Sequence, residues 1–320
     1  RRDIAVLARA LTLVESSHPR HQGLADELLT RLLPHAGGSI RVGITGAPGV
    51  GKSTFIEALG MYLARAGRKI AILAVDPSSG ISGGSILGDK TRMPALAVEP
   101  SAFIRPSPSA GTLGGVARKT RENILICEAA GHDVILVETA GVGQSESMVA
   151  DMTDCFLALM LPGAGDELQG IKRGLLELVD VIAVNKADGN NRTAAEVAAR
   201  QYRTAFESLT GRDRANSPTV LTCSALAEEN IDAVWHAIEA LHARRIADGD
   251  AEKRRKRQNL HWLWAAVDDQ LRQALAQHPK VRVLRAELER EVLEGRVPPE
   301  IAAKRILDAF DGSGSAPASG

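Results

Sequence analysis

Aromatic residues are scarce. Phe, Trp and Tyr make up 3% of the 320 residues, so the core must be built from Ala, Val, Leu and Ile. Cysteine is almost as rare: Cys127, Cys155 and Cys223 each sit in an apolar stretch, and no two are spaced as CxxC. That argues against a disulfide framework or a zinc site and suits buried thiols in a reducing compartment. Neither charge is in excess, since Lys+Arg and Asp+Glu both number 39. Net charge therefore gives no pull toward nucleic acid or an anionic membrane, and only a local basic face stays open. No apolar run approaches the ~18 residues that a membrane span needs. RRDIAVLARALTLVE is interrupted by Asp3, Arg9 and Glu15, so it reads as an amphipathic helix and not as a secretory segment. The expected compartment is the cytoplasm, or an organelle matrix after processing.

What is present is alternation. Residues 3–33 have helical spacing and end at Pro34 and Gly37-Gly38. Short apolar runs then alternate with helical stretches: IRVGIT at 40–45, IAILAVD at 70–76, DVILVET at 133–139, CFLALML at 155–161, DVIAVNK at 180–186 and TVLTCSA at 219–225. Nearly continuous apolar runs imply strands buried on both faces, and the helices between them imply parallel crossovers. The expected fold is a doubly wound α/β domain that binds ligands at the carboxyl ends of its strands. Beyond about residue 230 the pattern is helical. The expected division is a helical extension over 1–37, an α/β domain over 38–248, and a helical arm over 249–320 with a disordered tail. The basic run EKRRKRQ at 252–258 reads as a solvated helix face. For Trp235, Trp262 and Trp264, core and interface roles both stay open.

The polar motifs fall at the strand ends. GAPGVGKST places Gly46, Gly49, Val50, Gly51, Lys52, Ser53 and Thr54 between a strand and a helix. This matches GxxxxGK[ST], in which backbone N–H groups curl around phosphate, the lysine meets the β and γ phosphates and the serine hydroxyl ligates Mg²⁺. NKAD follows the strand DVIAV. Asp188 can accept from guanine N1–H and the exocyclic amine, donors that adenine does not present there, while Asn185 and Lys186 brace the loop. SAL then offers Ser224, Ala225 and Leu226, with the Ala225 N–H aimed at guanine O6. Together these motifs favour GTP over ATP. VETAG supplies Glu138, a carboxylate that would reach Mg²⁺ through water, and Gly141, whose N–H would sense the γ-phosphate. Val142 stands where a Ras-like GTPase carries its water-orienting glutamine, so slow intrinsic hydrolysis is expected. Asp76 in VDPSS and Asp89 in SGGSILGDKTRM are further metal or water-orienting candidates.

VDPSS, SGGSILGDKTRM, FIRPSPSAGTLGGVARKTRE, VILVETAGVGQSE and LMLPGAGDELQGIKRG occur in this order. They closely resemble the methylmalonyl-CoA mutase-associated GTPases, the MeaB/ArgK group that includes the cobalamin type A protein. The resemblance spans about residues 5 to 310. It implies the SIMIBI class of P-loop GTPase, a homodimer joined through the carboxyl-terminal helices, and a chaperone for adenosylcobalamin-dependent methylmalonyl-CoA mutase that gates cofactor delivery. It also implies that Lys52, Ser53, Asp76, Asp89 and Glu138 serve phosphate, magnesium and hydrolysis. In GAGDELQGIKR, Asp166, Glu167 and Lys172 would form a third switch toward the mutase. From the residues alone that segment is a hydrophilic βα connection. Two other functions fit the P-loop: a nickel-type metallochaperone GTPase, which the lack of a His tract or CxxC disfavours, and a P-loop kinase linked to amino-acid transport, which NKAD disfavours.

Overall fold

In the computed structural model, residues 3–16, 18–75, 92–106, 113–139, 144–163, 177–210 and 217–312 are described. Seven strands among them form one sheet: β1 (Ile40–Gly46), β2 (Ile70–Val75), β3 (Ala102–Arg105), β4 (Val134–Thr139), β5 (Cys155–Met160), β6 (Val181–Val184) and β7 (Thr219–Thr222). Their order is β3-β2-β4-β1-β5-β6-β7, and every pairing is parallel. β1 lies at the centre. The chain leaves it toward β2 on one side and later returns to β5 on the other, so the crevice for a ligand opens at its carboxyl end.

The strands are sheathed by helices whose apolar stripes face the sheet. The helices are α1 (Ile4–Glu15), α2 (Pro19–Leu32), α3 (Lys52–Arg65), α4 (Pro94–Val98), α5 (Leu113–Ala129), α6 (Gln144–Ala150), α7 (Arg192–Thr210) and α8 (Ile231–Ala247). In α8 the buried residues are Ile231, Val234, Trp235 and Ile238, one stripe at helical spacing. They join Phe55, Ile56, Leu59 and Leu63 of α3 and the inward residues of β1, β4 and β5 in one core. Truncating Trp235 there would cost about 3–5 kcal/mol. The amino-terminal residues with helical spacing form two helices, because Ser16 turns extended and Pro19 opens the next. α1 starts on an Asp3 cap that accepts the Ala5 N–H at 2.8 Å. It packs on α5, and Arg105 of β3 pairs with its Glu15.

The carboxyl-terminal helices are α9 (Asp250–Gln277), α10 (Pro279–Leu293) and α11 (Pro299–Asp311). The chain divides into two compact units, residues 1–259 and 260–320. The first ten residues of α9 therefore belong to the unit that contains the sheet. Side chains of the basic run explain this. Arg254 donates to the carbonyls of Thr153 and Ala150, both at 3.1 Å, and Gln258 donates to Thr153 O at 2.9 Å. Arg255 forks onto Asp154 at 2.8 and 2.7 Å. The solvated-face reading of this run is thus corrected. Lys253 and Lys256 do face solvent, and Arg254, Arg255 and Gln258 form the opposite, docked face. Of the tryptophans, Trp235 is core, Trp262 is buried and Trp264 is exposed.

Candidate nucleotide site

The P-loop runs from the end of β1 into α3. Its glycines are demanded by geometry. Gly51 has φ 95°, and a Cβ there would meet Asn185 Nδ2 at 2.9 Å; one at Gly46 would meet the Leu159 carbonyl at 2.6 Å. Only glycine lets the loop curl this tightly against β5 and the NKAD loop. Inside the curl, the Lys52 ammonium donates to the carbonyls of Gly46 at 2.7 Å and Ala47 at 3.3 Å. Burial lowers its pKa, the carboxylates of Glu138 and then Glu146 pull it back up, and Arg92 pushes it down.

Next in the helix, the Ser53 hydroxyl donates to Glu138 Oε1 at 3.3 Å. A hydroxyl and a carboxylate brought together from α3 and β4 are hard oxygen donors beside a lysine. That donor set fits Mg²⁺, which binds few protein ligands and keeps phosphate and water for the remainder. No group of three or more His, Cys, Asp or Glu capable of holding a metal occurs among the described residues. Thr54, the next residue of the motif, is exposed at the start of α3.

The base-side loops are stitched to the P-loop by Asn185. This buried side chain donates to Val50 O at 2.9 Å and accepts the Ala225 N–H at 2.9 Å. Lys186, at φ 59°, donates its ammonium to Gly49 O at 2.8 Å. The Ser224 hydroxyl donates to Asp188 and accepts the Ala227 N–H at 3.1 Å, which fixes one oxygen of Asp188 and leaves that carboxylate half-buried at the loop mouth. Sequence reasoning aimed the Ala225 N–H at guanine O6, but here that N–H is bonded to Asn185. Leu226 is 82% exposed at the rim.

Gly46, Gly49, Val50, Gly51, Lys52, Ser53, Glu138, Asn185, Lys186, Asp188, Ser224 and Ala225 thus converge on one edge of the sheet. Asp76, Asp89, Gly141, Asp166, Glu167 and Lys172 lie outside the described residues. Sequence reasoning missed Glu146. Its carboxylate accepts from the Thr45 hydroxyl at 2.9 Å, one residue before the P-loop. The available signal was an acid in the first turn of the helix that follows VETAG.

Residues 7–280 match the family described as methylmalonyl Co-A mutase-associated GTPase MeaB. A putative GTPase of Caulobacter vibrioides is 54% identical over 308 residues, which cover 96% of this chain and 94% of that one. The methylmalonic aciduria type A homolog of Mus musculus, a mitochondrial protein, is 44% identical, with 96% of this chain and 76% of that one covered. Among solved structures, an LAO/AO transport system kinase superposes with a TM-score of 0.75 at 39% identity, covering 97% of this chain and 94% of that chain. With its P-loop, its NKAD loop and these relatives, the chain belongs to the methylmalonyl-CoA mutase-associated GTPase family and is a GTPase.

Proposed function

We propose that this GTPase is a chaperone of an adenosylcobalamin-dependent acyl-CoA mutase, methylmalonyl-CoA mutase being the first partner to test. In this reading it gates cofactor delivery and protects the mutase, working in a bacterial cytoplasm or a mitochondrial matrix. The observation that carries the reading is the reach of the family match. It runs to residue 280, past the sheet-bearing unit that ends at Asn259, so the resemblance is not to a bare nucleotide-binding domain.

Within the site, each residue has a role. Lys52 places a positive charge against the β and γ phosphates, and the P-loop N–H groups cradle them. Asp188, aligned by Ser224, accepts from the guanine edge, and Lys186 packs beside the base. Ser53 and Glu138 would hold Mg²⁺, with Asp76 and Asp89 as further candidates; the ion supplies charge neutralisation along the triphosphate. Gly141 would sense the γ-phosphate, and Asp166, Glu167 and Lys172 would pass the nucleotide state to the mutase. With Val142 in the place of a water-orienting glutamine, unaided hydrolysis is slow and a partner sets its timing.

Homodimerisation through the second unit belongs to the same proposal. Leu260, Leu263, Trp264, Leu271, Val283 and Leu293 of that unit are all more than half exposed, which supports an interface there. The function is tested by binding purified mutase to the chain loaded with GTP, with GDP or with neither. Nucleotide-dependent capture is expected, and no capture in any state defeats the chaperone reading. Light scattering on the same preparations tests the dimer.

A further inference from the structure

Two hydroxyls and a carboxylate form a hydrogen-bonded chain at the carboxyl ends of β1 and β4. Thr139, the last residue of β4, donates its hydroxyl to Thr45 Oγ at 3.0 Å. Thr45, one residue before the end of β1, donates in turn to Glu146 Oε1 at 2.9 Å. Both threonines are buried, at 1% and 0% exposure, so neither hydroxyl has water as an alternative partner. Each bond in such a chain polarises the next, and it ends on an ionised acceptor, the strongest kind.

The position of the chain matters more than its strength. Thr45 precedes Gly46, whose carbonyl holds Lys52. Thr139 follows Glu138, which meets Ser53. Glu146 stands in the first turn of α6, and the other end of that helix is clamped by Arg254 and Gln258 on the carbonyls of Ala150 and Thr153. A helix fixed at its far end therefore presents one carboxylate to the two strand ends that bear the phosphate lysine and the magnesium-side carboxylate.

We propose that Glu146 is a positioning residue for GTP hydrolysis. By accepting from Thr45, with Thr139 behind it, Glu146 ties α6 to the paired ends of β1 and β4, where the ladder already sets Ile44 opposite Glu138, and so braces the start of the P-loop against the Glu138 end of β4. It acts through Lys52, Ser53 and Glu138 and touches no reacting atom. The positioning rests on the acceptor oxygen, while the charge of Glu146 acts separately on Lys52.

Steady-state GTP hydrolysis by the full chain tests this with three single variants and one double. Glu146→Ala is expected to lower kcat about tenfold, the rate equivalent of one hydrogen bond to a charged group, while KM moves by less than about threefold. Glu146→Gln keeps a carbonyl acceptor for Thr45 and should recover most of that loss. Thr45→Val, which keeps the volume of the side chain, should reproduce the Glu146→Ala effect on kcat. The double variant Thr45→Val, Glu146→Ala should be no slower than either single one, because both cut the same chain. A merely structural carboxylate would lower thermal stability and leave kcat per folded molecule intact. The proposal is overturned if Thr45→Val hydrolyses GTP at the native kcat, if Glu146→Gln is as slow as Glu146→Ala, or if the two single losses multiply. Should Glu146→Ala not fold, Thr45→Val and Glu146→Gln decide the matter alone.

Discussion

At the amino ends of β1, β5 and β6, charged side chains close on one another. Arg41 binds Glu128 through two bonds of 2.8 and 2.9 Å, and the same carboxylate takes the Ser39 hydroxyl at 2.6 Å and the Gly37 N–H at 2.7 Å. Asp154 is forked by Arg255 and also accepts the Arg41 N–H at 2.9 Å. Asp180 pairs with Arg245 and accepts the Phe156 N–H at 2.9 Å. At the carboxyl ends of β1, β4 and β6 the pattern reverses. Lys52 and Lys186 are both held by carbonyls of the P-loop, and Glu138 meets a hydroxyl at 3.3 Å. Full charges that pair internally are fully used. Cations resting on neutral dipoles keep most of their field for a ligand, with Glu138 and Glu146 also acting on Lys52. The sheet thus has one end that fastens the fold and another that is electrostatically available, although both are rich in ionisable residues.

The largest expected effect lies at the available end. Lys52→Ala should cut kcat/KM for GTP by about a thousandfold, as removal of a preorganised charge stabiliser does, with the thermal midpoint barely moved. A large loss of stability there would erase the distinction between the ends. At the fastening end the reverse is expected. Arg255→Ala strands the buried Asp154 carboxylate and should cost about 3 kcal/mol in urea denaturation. The adjacent Lys256, whose partner Glu252 is solvent-exposed, should cost under about 0.5 kcal/mol when changed to Ala. Equal losses at 255 and 256 would return the whole basic run to the status of a solvated face.

Asp188→Asn should weaken GTP about tenfold to a hundredfold and shift preference toward xanthosine triphosphate, read by competition binding. Unchanged guanine preference would remove Asp188 from the base site. A pH-dependent effect concerns Glu122 on α5, whose pKa is raised to about 7 by burial, against the pull of Arg118 and Arg121. A carboxyl raised in the folded state binds more protons folded than unfolded. Its contribution is therefore present at low pH and lost as pH rises from the unfolded value, near 4.5, through about 7. Glu122→Gln should accordingly gain about 3 kcal/mol over the native chain at pH 8 and almost nothing at pH 4. A gain of equal size at both values would mean that the carboxyl does not titrate in that window.

Six of the seven strands are legible in the sequence because each is a dense apolar run with a polar turn behind it. β3 is not. Its four residues AFIR lie at the sheet edge, and neither length nor periodicity separates them from a loop. The P-loop and NKAD were readable because motif, preceding strand and following helix agree. Glu146 was not, since an acid in the first turn of a helix is common for reasons of helix stability alone. The docking of EKRRKRQ was hidden for a different reason. Arginine and lysine count alike in a charge tally, and only Asp154 and the carbonyls of Ala150 and Thr153, a hundred residues earlier, separate Arg254 and Arg255 from Lys253 and Lys256. The segments containing Asp76, Asp89, Gly141, Asp166, Glu167 and Lys172 are legible only through motif order and family resemblance.

The contact between Gly51 and Asn185 bears on re-engineering. The glycine has no room for a Cβ because the asparagine amide occupies that space, and the same amide binds Val50 on one side and the Ala225 N–H on the other. Neither position is a free variable for anyone seeking an orthogonal version of this enzyme that runs on an unnatural nucleotide. A library randomised at Asn185 would sample broken loops before it sampled new base preferences. Asp188, whose neighbour in the structure is a serine hydroxyl, is where the proposed base contact leaves the alphabet open to change.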